Sequence, residues 1–575
     1  MLPARGNVII METRNCQNCK QDFIIEPDDF SFYEKIKVPP PTWCSVCRMT
    51  RRLAFGNAWG VHFRNCDKCG KKTLTMYRPD NQAIVYCDPC WWADDWDGTE
   101  YGVEYDSNQN FFEQWRELRN RTPHFAKDAA YLTLKNCEYT NAIAFSKDCY
   151  MSFWADYSES VYYSSLLNTV KDSMDLFRAH KSELCYESVG VTRCNKTHFS
   201  NTCDDCVDVW FSRNCYGCTN CFGCVNMRGK SYMIFNQQYT KEDYFEKLKE
   251  FTLNTREGLQ KALNMAVTFW NSLPYREYTG NSQNVNVSGD YIFESKNARD
   301  CFMCSGVEDS RYCQFVSVPK VTNCMDYYGW GNSASLIYEC AVSGEGIQNL
   351  KFSYGMFANG LDSEYCGWVI GSKNNFGCAN LKRKQYAILN KVYSKEEYEV
   401  LKARIIEDMK NNPYVDSKGR VYTYGEFFPP EFSLFPYEDS NASRFVPKTK
   451  EKAIAQGFTW VDKVESNYDK TIHGDNLPQT ITETDESITT EVIECILCAR
   501  GYRIAQGEYM LYKKLGVPVP SACPKCRERR RFDLTNKPIS HNTNCAKCNN
   551  EIHTMHDSNS QKIIYCEKCY QQEVM

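Results

Sequence analysis

The sequence predicts a mostly β fold. The expected core is a duplicated β-solenoid of short repeats of about 12 residues with capping helices, set between two copies of a cysteine-knuckle module. Three observations predict it. Sixteen of the 33 cysteines form two sets of eight with identical spacing. Cysteines recur at intervals of twelve through the middle of the chain. Two stretches 154 residues apart, FGCVNMRGKSY from Phe222 and FGCANLKRKQY from Phe376, end the repeats alike.

Each set of eight reads C-x2-C-x24-C-x2-C-x18-C-x2-C-x17-C-x2-C. The first is Cys16, Cys19, Cys44, Cys47, Cys66, Cys69, Cys87 and Cys90; the second is Cys495, Cys498, Cys523, Cys526, Cys545, Cys548, Cys566 and Cys569. Two cysteines separated by two residues aim both sulfurs at one ion, and two such turns close a tetrahedral four-thiolate shell. Thiolates select zinc or Fe–S over harder cations. A filled shell has no open position for substrate, so these sites read as structural. Four zinc ions are expected, two per module. Sequential pairing of the knuckles is the simplest arrangement, and the spacing leaves a cross-braced one open. Paired C-x2-C knuckles read as zinc ligands rather than as a disulfide framework.

The modules match beyond the cysteines. Tyr33, Val38, Pro39, Arg48, Arg51 and Arg52 correspond to Tyr512, Val517, Pro518, Arg527, Arg530 and Arg531, each 479 residues on. The segment from Cys16 through FYEKIKVPPPTWCSVCRMTRR resembles a widespread bacterial four-cysteine zinc-ribbon family. CDKCGKKTLTMYRPDNQAIVYCDPCWW resembles a second, shorter ribbon type. Both resemblances imply zinc binding, and neither implies a reaction.

Between the modules, Cys137, Cys149 and Cys185 lie on one ladder of twelve, with Val161 and Ser173 at the intervening steps. Cys203 and Cys215 are read as continuing it after an insertion of six. Cys194, Cys206 and Cys218 form another ladder. A second, more degenerate array holds Cys301, Cys304, Cys313, Cys324, Cys340, Cys366 and Cys378. The dense run Cys215, Cys218, Cys221, Cys224 admits two readings: an inward stack of small soft residues, or a further zinc or Fe–S site. The ladders leave Cys221 and Cys224 unexplained. Thr240 with Asp243 and Ser394 with Glu397 are capping boxes, so helices are expected over roughly 241–270 and 395–411.

The expected organisation is a double zinc ribbon over 1–100, a linker helix within 101–129, a first solenoid over 130–239 and a capping helix within 240–275. A second solenoid follows over 276–393, then a capping helix within 394–412 and an ordered aromatic and proline-rich extension over 413–464. An acidic flexible linker over 465–491 leads to the C-terminal double ribbon, 492–575.

Little in the sequence points to chemistry. The eight histidines form no H-E-x-x-H, and neither a G-x-x-x-x-G-K-[ST] loop nor a G-x-S-x-G elbow occurs, so no nucleotide cofactor or hydrolase site is expected. Asp204, Asp205 and Asp208 cluster as acids do in some carbohydrate-acting β-helix enzymes, but solvated turn residues on a repeat surface account for them far better, since fold analogy alone does not carry function. No apolar run is long enough to span a membrane, and no export signal is read at the N-terminus, so a reducing cytoplasm is expected. Net charge is −4, which excludes a globally basic nucleic-acid coat.

The arginines after each second knuckle are the candidate phosphate-binding residues: Arg48, Arg51, Arg52, Arg527, Arg529, Arg530 and Arg531. The same arginines could instead offset the negative tetrathiolate centres. The functional expectation is a non-catalytic zinc-binding scaffold that contacts RNA or a ribonucleoprotein such as the ribosome. The alternative is a self-assembling or protein-binding scaffold, as a homo-oligomer or with a protein partner. The layout as a whole resembles a family of proteins from small-genome uncultivated bacteria, in which terminal zinc ribbons surround cysteine-rich repeats ending in FGCxNLxxKxYxIxN. That resemblance implies an architecture and no reaction.

Overall fold

Residues 11–462 and 468–574 are described by a computed structural model. Strand accounts for 32% of residues and helix for 24%, so the chain is mostly β. Two long parallel sheets hold most of the strands.

In the first array, every parallel pairing from Lys135 to Ser231 joins residues twelve apart. Lys135 pairs with Lys147, Lys171 with Glu159, Met174 with Tyr186, Val207 with Thr219 and Thr219 with Ser231. Parallel pairing at constant separation requires the chain to complete one circuit every twelve residues. Each circuit has four sides of three residues, because every third residue is left-handed: Asn136, Tyr139, Ala142, Phe145, Asp148 and onward. Such a φ is unfavourable for a residue with a Cβ, and the ladder hydrogen bonds of the neighbouring circuits hold it in place.

The residue after each left-handed corner points inward. Thr140, Ile143, Ser146, Cys149, Ser152 and Ala155 are all buried. Four facing sides leave a narrow interior, which explains the small side chains. Serine has a further role there. Ser146 Oγ accepts from Ser158 N–H, Ser164 Oγ from Leu176 N–H and Ser212 Oγ from Cys224 N–H, in each case one circuit on. Inward cysteines sit similarly, with the Cys206 thiol 3.3 Å from the Asp204 carbonyl and 3.4 Å from that of Cys215.

This geometry corrects the reading of the cysteine ladders. No insertion of six interrupts the first array, since Tyr186 pairs with His198 at the usual twelve. Cys203 and Cys215 lie two sides away from Cys149 and Cys185. The run Cys215, Cys218, Cys221, Cys224 supplies the four inward positions of one circuit, which places the two cysteines the ladders could not.

The second array is less regular. Its separation is twelve at Gly289 and Cys301, fourteen at Val307 and Val321, thirteen at Met325 and Tyr338, and twelve again at Leu361 and Lys373. Two residues inserted near 319 and single insertions after it shift the inward phase, which is why its cysteines follow no single ladder. The arrays touch through Trp154, whose ring centroid is 5.5 Å from that of Phe315 and 5.9 Å from that of Tyr328.

Each array ends in a short hairpin and then a helix. After the first array the helix breaks in two, Lys241–Lys249 and Arg256–Asn271, because Thr255 caps a new start by accepting from Gly258 N–H. After the second, Lys395–Asn411 runs unbroken behind a full capping box on Ser394 and Glu397. Residues 413–462 bury Phe427, Phe428, Phe432 and Tyr437, and Phe428 stacks on Trp115 with centroids 4.0 Å apart.

Residues 468–491 are folded rather than a flexible tether. Ile472–His473 pairs with Ile493–Glu494, and Leu477, Ile481 and Ile488 are buried. Arg256 donates to the Leu477 carbonyl at 2.6 Å. Three apolar anchors in an acidic stretch are enough to dock it. Positions 465–467 lie outside the described residues.

The terminal modules bridge the two arrays crosswise. In the N-terminal module, Val85–Tyr86 pairs with His124–Phe125 at the head of the first array, while helix Ser45–Leu53 packs on the second. In the C-terminal module, Ile564–Tyr565 pairs with Tyr275–Arg276 at the head of the second array, while helix Pro524–Asp533 packs on the first. The two modules thus dock reciprocally on the two arrays.

Candidate metal centres and the arginine clamps

The sixteen knuckle cysteines gather into four quartets: Cys16, Cys19, Cys44, Cys47; Cys66, Cys69, Cys87, Cys90; Cys495, Cys498, Cys523, Cys526; and Cys545, Cys548, Cys566, Cys569. Pairing is sequential, not cross-braced. Within a quartet all four sulfurs lie within 4.8 Å of one another. Neighbouring sulfurs are 3.8 Å apart at Cys19 and Cys44, and 3.7 Å apart at Cys498 and Cys523. A tetrahedral ion with 2.3 Å bonds to sulfur requires a separation of about 3.8 Å, so the donor set fits zinc.

The surrounding backbone is built alike in all four. Cys44 N–H donates to the Cys16 sulfur, Cys87 to Cys66, Cys523 to Cys495 and Cys566 to Cys545, each at 3.2 Å. N–H donors stabilise a charged thiolate. These sixteen cysteines would hold zinc, whose contribution would be to tie the two knuckles of each quartet together. Among the described residues no array cysteine joins a cluster of three or more potential ligands.

The first quartet of each module also starts a helix. Cys44 and Cys523 are the N-cap residues of Ser45–Leu53 and Pro524–Asp533, with Cys47 and Cys526 in the first turn. Arg48, Arg51 and Arg52 follow at helical spacing and share one face. The knuckle therefore sets the direction in which the arginines point.

They point inward. Arg48 lies 2.8 Å from Asp326 and 3.5 Å from Glu339; Arg51 is 3.2 Å from both Glu339 and Glu426; Arg52 is 3.0 Å from Asp326 and 3.1 Å from Glu339. In the other half Arg527 lies 3.3 Å from Asp175 and 3.5 Å from Glu508. Arg531 is 2.8 Å from Asp175 and 3.4 Å from Glu187, and Arg530 is 2.6 Å from Glu187. Three guanidinium groups face three carboxylates in each half. Burial alone would push Glu187 up, but Arg530 and Arg531 outweigh it and hold it below the usual range. At Asp175 burial wins over Arg527 and Arg531 and lifts the carboxyl to about 6. Burial works against the charge on Arg48, yet Asp326 and the groups beside it hold its pKa well above the ordinary value.

This corrects the phosphate-binding assignment. Arg48, Arg51, Arg52, Arg527 and Arg531 are buried and already paired, so a phosphate could reach them only by breaking the clamp. Arg530 is half-buried on Glu187, and Arg529 is exposed. The compensation reading also changes, because four of the six partners, Asp175, Glu187, Asp326 and Glu339, are array carboxylates. The acidic residues were not singled out in the sequence. A signal existed: Asp175 and Asp326, and Glu187 and Glu339, hold matching places in the two arrays near the 154-residue offset.

The acidic trio of the first array does not form a site. Asp204 pairs with Arg193 at 2.6 Å, and Asp205 and Asp208 occupy left-handed corners. Among the described residues no helix is long and apolar enough to cross a membrane.

No family model and no curated protein matches the chain. Among solved structures, a crystal structure from Desulfovibrio desulfuricans G20 assigned as an acetyltransferase aligns at 11% identity over 46% of this chain and 69% of that one, with a TM-score of 0.09. A likeness of that size carries no argument about this chain.

Proposed function

We propose that the protein is a non-catalytic, zinc-braced scaffold: two β-solenoids locked crosswise by terminal zinc modules, with a protein partner or a second copy as its ligand. The observation that supports it is the pair of buried clamps. Each module sets three arginines against two carboxylates of the array it packs on, Asp326 and Glu339 in one half and Asp175 and Glu187 in the other, so zinc binding in the knuckles would help hold the two arrays in one arrangement. Closed four-thiolate shells add no reactive position, and the acidic cluster offers no catalytic constellation.

Contact with RNA or the ribosome is the weaker reading, because the arginines that motivated it are consumed internally and Arg529 is what it retains. Purification of the tagged full chain with its bound species, before and after nuclease and in high salt, separates the two. Retention of a protein partner or of a homo-oligomer after nuclease is the expected result. Loss of every bound species on nuclease treatment would replace the scaffold reading with the RNA one.

A further inference from the structure

The hairpins that close the two arrays have matching turns, Leu389–Asn390 after the second array and Phe235–Asn236 after the first, 154 residues apart. The second array's turn is covered by the stretch that follows the N-terminal module, residues 97–106. Val103 N–H donates to the Leu389 carbonyl at 3.1 Å, and Asn390 Nδ2 donates to the Gly98 carbonyl at 3.0 Å. A Cβ on Gly98 would lie 2.7 Å from the Asn380 carbonyl oxygen, and one on Gly102 2.7 Å from that of Asn390, so this close approach needs glycine at both positions. Asp97 pairs with Lys384 at 2.5 Å, and Glu104 pairs with Lys391. The stretch ends over helix Phe111–Arg121, where the Gln114 side chain donates to the Asp106 carbonyl at 2.8 Å and accepts from Asp106 N–H at 2.9 Å. Leu389, Asn390 and Gln114 are all buried beneath it.

The first array ends in the same parts without that cover. Asn236 folds its side chain onto Val225 as Asn390 does onto Ala379, and Lys230 stands where Lys384 does. Helix Arg256–Asn271 takes the place of Phe111–Arg121, because the pairing of Tyr275 with Ile564 repeats that of His124 with Val85. Met265 is then the counterpart of Gln114. Among the described residues no N–H donates to the Phe235 carbonyl, no carbonyl stands where Gly98 does, and Lys230 has no ion partner. Phe235 and Phe269 are only half-buried, Met265 is 40% exposed, and the three line an open groove with Thr268 and Ser272. We infer that this bare end of the first array is a docking site for an extended acidic segment of a partner protein. The covered end supplies the chemistry of the occupant. Residues 94–105 carry five acidic residues and no basic one. A carboxylate of the partner meets Lys230 as Asp97 meets Lys384, and its backbone pairs with the Phe235–Asn236 turn. Nine residues on, the spacing of Asp97 and Asp106, an apolar side chain enters the groove, since Met265 offers hydrocarbon where Gln114 offers an amide. The chain's own acidic stretch is already engaged on the second array. A different polypeptide is therefore the occupant, in keeping with the protein-partner reading above, on which the inference rests.

The test is a displayed library of random twelve-residue peptides panned on the full-length zinc-loaded protein, with peptide affinities measured on wild type, Lys230→Glu and Met265→Glu. Both side chains are exposed, so neither substitution disturbs a buried contact. Enriched peptides that set a carboxylate ahead of an apolar anchor, with binding weakened at least tenfold by each substitution, are expected. Peptides that bind all three proteins equally, or a library that yields no enrichment, overturn the site. A wild-type dimer that Met265→Glu dissociates in sedimentation overturns the partner and puts a second copy in the groove. None of these results decides the scaffold reading, which stands or falls on the nuclease experiment.

Discussion

Arg48 donates to Asp326 at 2.8 Å with both side chains buried, although 278 residues separate them. Arg531 meets Asp175 at the same distance in the other half. One bond ties the N-terminal module to the second array and the other ties the C-terminal module to the first, so the chain is closed on itself twice. Neither half of the molecule is complete without a segment from the far end of the sequence.

Breaking one clamp by removing a single partner should therefore be severe. Glu339→Ala leaves Arg51 and Arg52 buried with an incomplete set of carboxylates, a situation that typically costs about 3–5 kcal/mol. Arg529→Ala, on the exposed side of the twin helix, should change stability by less than about 0.5 kcal/mol. Denaturant titration with zinc in excess reads both. Similar small effects at the two positions would mean the buried arginines do not act as clamps.

The knuckles were legible in the sequence because metal ligation fixes spacing, and Cys16 through Cys90 repeat it without a gap at Cys495 through Cys569. The destination of the arginines was not. A basic run reads the same whether it faces water or a carboxylate 278 residues away, and only the coiling of the arrays brings Asp326 and Glu339 onto one face. The array itself was half-legible. A period of twelve showed in the cysteines, but the underlying period of three was hidden because serine, alanine, valine and cysteine all fill the narrow interior. Residues 468–491 were misread for a related reason: composition gave the acidic character and missed Leu477, Ile481 and Ile488, which dock the segment.

If the array cysteines are packing residues, replacing them should leave the metal content alone. Cys215→Ala puts in a side chain that the same side of earlier circuits carries at Ala155 and Ala179, with an expected cost of about 0.5–1.5 kcal/mol for the loss of one buried heavy atom. Zinc per chain, measured by atomic spectrometry, should remain at the value set by the four quartets. Cys523→Ser should lower it. A drop in zinc or the appearance of iron dependence at Cys215 would place a metal inside the array.

The four quartets should not release zinc at one rate. Cys16 and Cys47 are buried and their knuckle lies under residues 420–422, whereas Cys69, Cys498 and Cys548 are exposed. A colorimetric chelator in excess should withdraw zinc in at least two phases, the slow one belonging to the covered quartet. Asn18→Ala, which removes the Arg420 contact, should speed the slow phase and leave the others unchanged. A single phase for all sites would show that the cover does not control access.

His553 should make docking of the C-terminal hairpin on the second array sensitive to pH. Its Nε2 lies 3.1 Å from Asp300 and its Nδ1 2.8 Å from the Asn542 side-chain oxygen, so the doubly protonated ring can donate to both. The hydrogen bond to Asp300 raises the His553 pKa against an opposing effect of burial; Arg311 nearby pulls it down and Glu551 pushes it up. At Asp300 burial acts upward, but His553 and Arg311 outweigh it and hold the carboxyl below its ordinary value. A histidine whose folded pKa exceeds its unfolded value of about 6.5 adds stability that is fully present below that pH. It is lost as pH rises through the folded pKa. The pair is only partly shielded from solvent, so screening keeps its contribution under about 1 kcal/mol. Stability of wild type relative to His553→Gln, followed from pH 5.5 to 8.5 with zinc saturating, should show an excess at the acid end that shrinks toward the basic end. A difference that stays level across that range would mean the ring does not titrate in the interface.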